Sequence, residues 1–242
     1  MLDLGNNKIN DTFPHWLGTL PNLRVLVLRS NRFHGPIENP ITKVSFTNLR
    51  IIDLAHNEYH GLLPEKYFNY LNAMMNANAD KGELKYIGDN YYHDSMMVIL
   101  KRLSIELVKI QNLFTTIDFS NNCFKGEIPK SIGKLKSLKG LNISNNKLTG
   151  NMPSSLRNLT NLEWLDISSN NLIGEISGHL VDLISLEVLS LSGNCLFGPI
   201  PQGNQFNTFS FDSYNGNLGI CGFPLAKTCG DNKGQQSLPL PS

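Results

Sequence analysis

Three stretches of this sequence align without a gap and decide the fold: LKGLNISNNKLTGNMP at residues 138–153, LEWLDISSNNLIGEIS at 162–177 and LEVLSLSGNCLFGPIP at 186–201. Each stretch begins 24 residues after the one before it. A fixed period of this length is typical of a solenoid, in which each repeat stacks on the next and buries a continuous core. Because a solenoid presents a long exposed surface, the repeats favour recognition of a partner over catalysis.

The repeats share the pattern L-x-L-x-x-N-x-[LFI]-x-G-x-[IM]-P, whose parts have separate physical roles. The alternation of Leu141, Asn142 and Ile143 predicts a short strand that pairs in parallel with the next repeat and turns its apolar residues inward. The asparagine of the turn is expected to be buried, so its amide needs backbone partners and forms a ladder along the stack. Glycine suits a bend or a positive φ, and the following proline suits an edge or a turn. The ladder asparagines are Asn122, Asn146, Asn170 and Asn194, and the glycines are Gly126, Gly150, Gly174 and Gly198.

This pattern predicts an α/β leucine-rich-repeat solenoid with a parallel sheet on its concave face. The step from Asn57 to Asn122 is 65 residues, and one repeat accounts for 24 of them, which leaves an insertion of about 41 residues. We therefore expect repeats 1–3 at residues 1–64, the insertion at 65–112, repeats 4–7 at 113–209, a C-terminal cap at 210–230 and a flexible tail at 231–242. Seven strands are predicted, at Leu2–Leu4, Leu26–Leu28, Ile52–Leu54, Ile117–Phe119, Leu141–Ile143, Leu165–Ile167 and Leu189–Leu191.

Composition and motifs argue against several other classes of protein. The 242 residues include 21 basic and 20 acidic side chains, so a net charge of +1 does not favour binding to nucleic acid. The segment from His56 to His60 lacks the spacing of a metalloprotease helix, and the cysteines lack zinc-finger spacing. No set of kinase motifs is present. We expect a protein that is not an enzyme and needs no cofactor or metal.

Three longer phrases carry a resemblance to a known family. They are DLGNNKINDTFPHWLGTLPNLRVLVLRSNRFHGPI at residues 3–37, FTTIDFSNNCFKGEIPKSIGKLKSLKGLNISNNKLTG at 114–150 and GNLGICGFPLAKTC at 216–229. Together they resemble the C-terminal part of the ectodomain of plant leucine-rich-repeat receptor-like proteins, the class that lacks a kinase. The continuation GxIP is similar to the plant extracellular type of repeat, and in that family an insertion of this length, the island, lies a few repeats before the end.

The resemblance implies part of a cell-surface receptor that acts in defence or developmental signalling through protein–protein contacts. Implied partners are a peptide, protein or glycan ligand, a co-receptor kinase ectodomain that meets residues 117–193, and an adaptor receptor kinase. The intact parent would lie at the extracellular side of the plasma membrane, whereas this chain shows neither a signal peptide nor a membrane-spanning segment. Two alternatives stay open: a secreted inhibitor of a microbial cell-wall hydrolase, which the insertion counts against, and a truncated fragment without function.

The best candidates for a partner surface are the strand residues expected to face solvent on the concave side. Because the Asp and Ser residues recur as consensus, an ordinary polar sheet face is the favoured interpretation for them, whereas Arg29, His56 and Trp164 depart from the consensus and are the better candidates for contact with a particular ligand. In the island, five of the seven tyrosines either bind a ligand or pack the island onto the solenoid. The concave candidates are Arg29, Asp53, His56, Asp118, Ser120, Asn142, Ser144, Trp164, Asp166, Ser168, Ser190 and Ser192, and the island candidates are Tyr67, Tyr70, Tyr86, Tyr91 and Tyr92.

Cysteines and glycosylation motifs complete the set. The resemblance implies a disulfide between Cys221 and Cys229 in the C-terminal cap, and hence an oxidising compartment. Cys123 and Cys195 occupy the same position three repeats apart, so they should lie about 14 Å from each other and stay unpaired. The sequences Asn-Asp-Thr, Asn-Ile-Ser and Asn-Leu-Thr predict N-glycosylation at Asn10, Asn142 and Asn158.

Overall fold

A computed structural model describes residues 1–39, 46–76, 96–100, 103–107 and 113–230, with the backbone alone for 96–100 and 103–107. The described chain winds as a stack of repeats around one apolar core. This core runs without interruption from Phe13 to Ile220 and joins the repeats on both sides of the predicted insertion.

Seven short parallel strands form the first sheet, here called the concave sheet, and confirm the predicted number and order. Their middle residues, such as Leu141 and Leu165, are fully buried in the core. Every strand ends one residue earlier than predicted, although the next residue still donates an inter-strand bond, as Ile143 N does to Asp166 O at 2.9 Å. The strands are Leu2–Asp3, Val25–Val27, Ile51–Asp53, Thr116–Asp118, Gly140–Asn142, Trp164–Asp166 and Val188–Ser190.

A second seven-stranded parallel sheet follows the turn of each repeat and was not predicted. Its solvent face alternates with its buried face, as exposed Lys147, buried Leu148 and exposed Thr149 show. The consensus glycines lie within or at the end of these strands with positive φ, for example 76° at Gly150 and 89° at Gly174. The positive φ was expected, but the strand around it was not, because glycine weakens a strand signal. The strands are His34–Pro36, Glu58–Gly61, Cys123–Gly126, Lys147–Asn151, Asn171–Glu175, Cys195–Pro199 and Gly219–Cys221.

Short helices cover the convex side. Proline directly precedes four of them, since its fixed φ suits a helix start. They comprise 3-10 helices at His15–Thr19, Lys130–Lys134, Ser154–Asn158, Gly178–Asp182, Asn204–Thr208 and Phe211–Ser213, and α-helices at Glu65–Phe68 and Asn72–Met75. A separate antiparallel pair joins Met96–Leu100 to Leu103–Leu107 inside the predicted insertion.

The two α-helices lie within the range predicted for the insertion, yet they pack as the convex side of the third repeat. Phe68, Leu71 and Met74 are buried in the common core. Met74 O accepts a hydrogen bond from Ser137 N at 2.8 Å, in the repeat that follows the insertion. Residues 65–75 therefore continue the solenoid.

The predicted asparagine ladder is confirmed. Asn146 Nδ2 donates to Phe119 O of the preceding repeat at 3.0 Å and to Ile143 O of its own repeat at 3.2 Å, while its Oδ1 accepts from Phe124 N at 2.9 Å. The same arrangement recurs at Asn57, Asn122, Asn170 and Asn194, and it extends to Asn31 and Asn217. Each amide thus joins neighbouring repeats where the strand ends.

Candidate partner-binding surface

The parallel register places equivalent residues of successive repeats side by side on the concave sheet. Asp53, Asp118, Asn142, Asp166 and Ser190 form one row across five neighbouring strands. A second row contains Ser120, Ser144, Ser168 and Ser192, which lie two residues further along the chain. Such rows are the geometry that a solenoid offers to an extended partner.

The prediction that these side chains face open solvent is wrong for most of them. Asp53 is 3% exposed and Asp118 is 7% exposed, and several other candidates are equally covered. Neighbouring strands lie about 4.8 Å apart, so adjacent side chains on a concave face shield one another. Buried are Arg29, Asp53, Asp118, Ser120, Trp164, Ser168 and Ser190; half-buried are Asn142, Ser144, Asp166 and Ser192; His56 is exposed.

Hydrogen bonds within each repeat account for the recurring Asp and Ser residues. Asp118 Oδ1 accepts from Ser120 N at 3.0 Å and from Ser120 Oγ at 2.7 Å. The pairs Asn142–Ser144 and Asp166–Ser168 repeat this arrangement. These contacts close the turn after each strand, so the recurrence of Asp and Ser has a structural reason in addition to any role in binding.

A buried charged cluster lies where the third and fourth strands meet. Arg29 Nη1 donates to Asp53 Oδ2 at 3.2 Å, and Asp53 is in register with Asp118 on the neighbouring strand. Burial and the Asp118 carboxyl raise the pKa of Asp53 from 3.8 to about 7, although Arg29 acts in the opposite direction. Burial also raises the pKa of Asp118. The cluster therefore holds two carboxyl groups that resist ionising together.

His56, the third departure from the consensus, lies just before the ladder residue Asn57 with φ at 55°. Other residues at this position also have positive φ, including Asn121, Asn145 and Ser169. Asn, Ser and His tolerate this conformation better than bulkier side chains do. His56 is exposed, and the turn supplies one reason for its residue type.

Trp164 lies across the concave sheet instead of projecting from it. Its indole ring occupies the space above Gly140, where a Cβ atom would come within 1.8 Å of the ring. Beyond Gly140 the ring stacks on Phe114, with centroids 5.7 Å apart and an interplanar angle of 28°. The ring of Trp164 thus occupies the space that a side chain at residue 140 would need.

A hollow of about 200 Å³ opens beside Trp164 at the C-terminal end of the concave sheet. The structure brings four sequence candidates together there, namely Asn142, Trp164, Asp166 and Ser190. The remaining concave candidates lie outside it, toward the N-terminal repeats or in the adjoining serine row. Sequence reasoning missed Val188, which follows Trp164 by one repeat, and the wall from the cap, for which the periodic pattern gives no signal. The lining residues missed are Leu165, Val188, Leu189, Ser210, Asp212 and Ser213.

The tyrosines of the predicted island fall into three groups. Tyr67 is buried and its ring contacts Phe13 and Phe46 at centroid distances of 5.8 and 5.6 Å, so the packing alternative holds for this residue. Tyr70 is half-buried. Tyr86, Tyr91 and Tyr92 lie outside the described residues, and their proposed role in ligand binding stays a prediction.

The cysteines are arranged as expected. A disulfide joins Cys221 to Cys229, with their Cα atoms 5.1 Å apart. Cys123 and Cys195 are both unpaired. Among the three glycosylation candidates, Asn10 and Asn158 are exposed, whereas Asn142 is half-buried in the concave sheet.

Within the described part of the chain, no group of three or more His, Cys, Asp or Glu side chains is arranged to hold a metal ion. In the same residues, no helix combines the length and apolar character needed to cross a bilayer.

Comparisons with known proteins agree with the repeats. A family model described as Leucine rich repeat matches residues 115–172 and 136–196, and a second of the same description matches 1–20 and 185–212. Receptor-like protein 34 of Arabidopsis thaliana is 56% identical over 233 residues, which are 96% of this chain and 24% of that relative. The chain spans only 14 to 24% of the length of five such Arabidopsis receptor-like proteins.

Two solved structures show the same architecture. A plant ice-binding protein superposes with a TM-score of 0.67 at 25% identity, over 95% of this chain and 60% of that chain. The Arabidopsis receptor kinase HAESA, solved with the peptide hormone IDA and the co-receptor SERK1, superposes with a TM-score of 0.58 at 27% identity, over 90% of this chain and 33% of that chain. By its repeats and its relatives, the chain belongs to the plant leucine-rich-repeat receptor-like proteins.

Proposed function

We propose that this chain is part of the extracellular recognition region of a plant cell-surface receptor and acts only through protein–protein contacts. Its concave sheet binds a peptide or protein ligand together with the ectodomain of a co-receptor kinase. Signalling then depends on kinases supplied by the partners, in defence or development, and the site of action is the outer side of the plasma membrane.

The observation that carries this proposal is the hollow beside Trp164. It combines an aromatic wall, the apolar Val188 and the exposed carboxyl of Asp212 within one depression. Such a mixture of apolar surface and a few polar groups is typical of sites that hold a protein side chain. Trp164, which lines the hollow, also departs from the repeat consensus, whereas the surrounding Asp and Ser residues form hydrogen bonds within their own repeats.

The co-receptor part of the proposal is supported by the likeness to HAESA, whose solved complex contains both a peptide hormone and SERK1. In this chain the hollow lies between the last concave strands and the cap turn Phe211–Ser213. A partner that contacts this turn and the strand Val188–Ser190 together would reach the C-terminal end of the solenoid.

The test is a titration of the SERK1 ectodomain against the immobilised chain and two variants. Asp212→Arg reverses an exposed charge in the hollow, and Glu175→Arg makes the same change on the exposed face of the second sheet. We expect saturable binding to the unmodified chain, at least tenfold weaker binding to Asp212→Arg and unchanged binding to Glu175→Arg. Absence of binding to the unmodified chain, or equal loss in both variants, contradicts the proposed co-receptor site.

A further inference from the structure

The three glycosylation motifs occupy three different environments in the solenoid. Asn10 lies on the loop of the first repeat that borders the second sheet, because Asp11 O and Ile9 O accept hydrogen bonds from His34 N and Arg32 N. Asn158 is the last residue of the convex 3-10 helix Ser154–Asn158. Asn142 ends a strand in the middle of the concave sheet. The three motifs are the same in kind, so the surroundings decide at which of these asparagines the folded protein can accommodate a glycan.

The carboxamide of Asn142 is held at both ends. Its Oδ1 accepts from Ser144 N at 3.1 Å and from Ser144 Oγ at 2.7 Å. Its Nδ2 donates to Asp118 Oδ2 at 3.2 Å, so the nitrogen that would carry the sugar points along the sheet toward the neighbouring strand. The in-register neighbours on the two sides are Asp118 and Asp166.

In the observed direction of this nitrogen, a sugar attached to it would run into the neighbouring strand. Neighbouring strands are about 4.8 Å apart, which is narrower than a pyranose ring with its substituents. To turn the nitrogen outward, Asn142 would have to give up its bonds to Ser144 and Asp118. Asp118 is buried, and losing a donor there would leave a polar group without its partner.

Asn10 and Asn158 meet neither obstacle. Both side chains are exposed, and among the described residues neither takes part in a hydrogen bond. The disulfide between Cys221 and Cys229 is a bond of the oxidising secretory compartment, in which N-glycosylation also occurs. Thus the disulfide of the cap and the exposure of these two asparagines both point to the secretory pathway.

We propose that Asn10 and Asn158 carry N-linked glycans in the folded protein and that Asn142 carries none. The expectation of three modified asparagines is thereby revised to two. The glycans then lie on the convex side and beside the second sheet, while the hollow, which Asn142 lines, stays free for a protein partner.

The experiment is site-by-site mass spectrometry of the full chain secreted from plant cells behind an added leader. Trimming by an endoglycosidase leaves one N-acetylglucosamine on each occupied asparagine. We expect this sugar on the peptides of Asn10 and Asn158 and not on that of Asn142. Asn10→Gln and Asn158→Gln should each remove one glycan from the intact protein, and Asn142→Gln should remove none.

Two further variants separate the environment from the motif. Asp166→Asn creates Asn-Ile-Ser at the concave position next to Asn142, and Lys147→Asn creates Asn-Leu-Thr on an exposed strand position of the second sheet. We expect no sugar at residue 166 and an added sugar at residue 147. A sugar on Asn142 or at residue 166 of the secreted protein, or a bare Asn10 or Asn158, overturns the proposal.

Discussion

The repeats before and after the insertion supply different hydrogen-bond partners to the polar side chains of the concave sheet. In the later block, residues 113–230, a carboxyl or amide on the concave sheet is bonded to the serine two residues ahead in its own repeat. In the earlier block, residues 1–76, alanine occupies the equivalent position after Asp53, so Asp53 accepts a bond from the backbone N of Ala55 but has no hydroxyl partner there, and its second carboxyl oxygen is bonded to Arg29 of the preceding repeat. The serine hydroxyl that the later repeats supply from within the repeat is therefore replaced at Asp53 by a guanidinium group of the preceding repeat.

The cores differ as well. At one core position, the last three repeats carry Leu148, Leu172 and Leu196, whereas the repeats before them carry Phe33, Tyr59 and Phe124. Tyr59 is stacked on Phe33 at a centroid distance of 6.1 Å and on Phe124 at 6.2 Å. An aromatic core buries more area per residue, but here it also buries a hydroxyl. Aromatic residues at this position thus lie on both sides of the insertion, and leucine replaces them in the last three repeats.

The largest expected effect comes from removing the inter-repeat partner of Asp53. Arg29→Met keeps the length of the side chain but leaves Asp53 beside Asp118 without its cation. Breaking a buried ion pair from one side costs roughly 3–5 kcal/mol. The matched change in the later block, Ser168→Ala, removes a hydroxyl from Asp166 and should cost about 1 kcal/mol. Denaturant unfolding at about pH 8 measures both free energies.

The pH dependence of this cost tests whether it comes from the ionised carboxyl of Asp53. The raised pKa of Asp53 means that its ionisation opposes folding. The stability that the protonated carboxyl contributes is therefore present in full below about pH 4 and is lost as the pH rises through about 7. Arg29 lowers this pKa, so its removal should destabilise the protein more at pH 8 than at pH 5. A cost for Arg29→Met that is equal at the two values, or equal to that of Ser168→Ala, contradicts the comparison.

The next largest expected effect comes from removing one asparagine of the ladder, which joins neighbouring repeats in both blocks. In Asn170→Ala the turn loses its side-chain bonds to Ile143 O, Ile167 O and Ser168 O and the one from Leu148 N. Because these backbone groups are buried, we expect a loss of about 3 kcal/mol in unfolding free energy. Asn171→Ala, one residue along and exposed, should change it by less than about 0.5 kcal/mol. Similar values for the two variants would show that the ladder adds little.

Sequence periodicity predicted the features that recur in every repeat. The seven concave strands, the asparagine ladder and the positive φ of the glycines follow from residues at fixed spacing, as at Asn146 and Gly150. The unpaired state of Cys195 follows from the same spacing. These predictions succeeded because each one concerns a residue and its equivalent in the next repeat, and the stack brings such residues together.

Features that arise between unlike segments were not predictable in this way. The hollow needs Asp212 from the cap, and the cap has no counterpart in the repeats. Residues 65–75 lack the leucine pattern, so their place in the third repeat depends on contacts such as the one between Met74 and Ser137. The burial of Asp53 and Asp118 depends on the curvature of the sheet, which a pattern within one strand does not contain.

The smallest expected effect tests the aromatic core of the earlier block. Among the residues that the structure describes, the buried hydroxyl of Tyr59 has no hydrogen-bond partner, and its burial raises the pKa of the phenol. Tyr59→Phe keeps the stacking on Phe33 and removes only this hydroxyl, so we expect the unfolding free energy to rise by about 1 kcal/mol. Tyr70→Phe, where the side chain is half-buried, should change it by less than about 0.5 kcal/mol. A loss of stability in Tyr59→Phe would mean that the hydroxyl has a partner, and the contrast between the two cores would then be smaller than described.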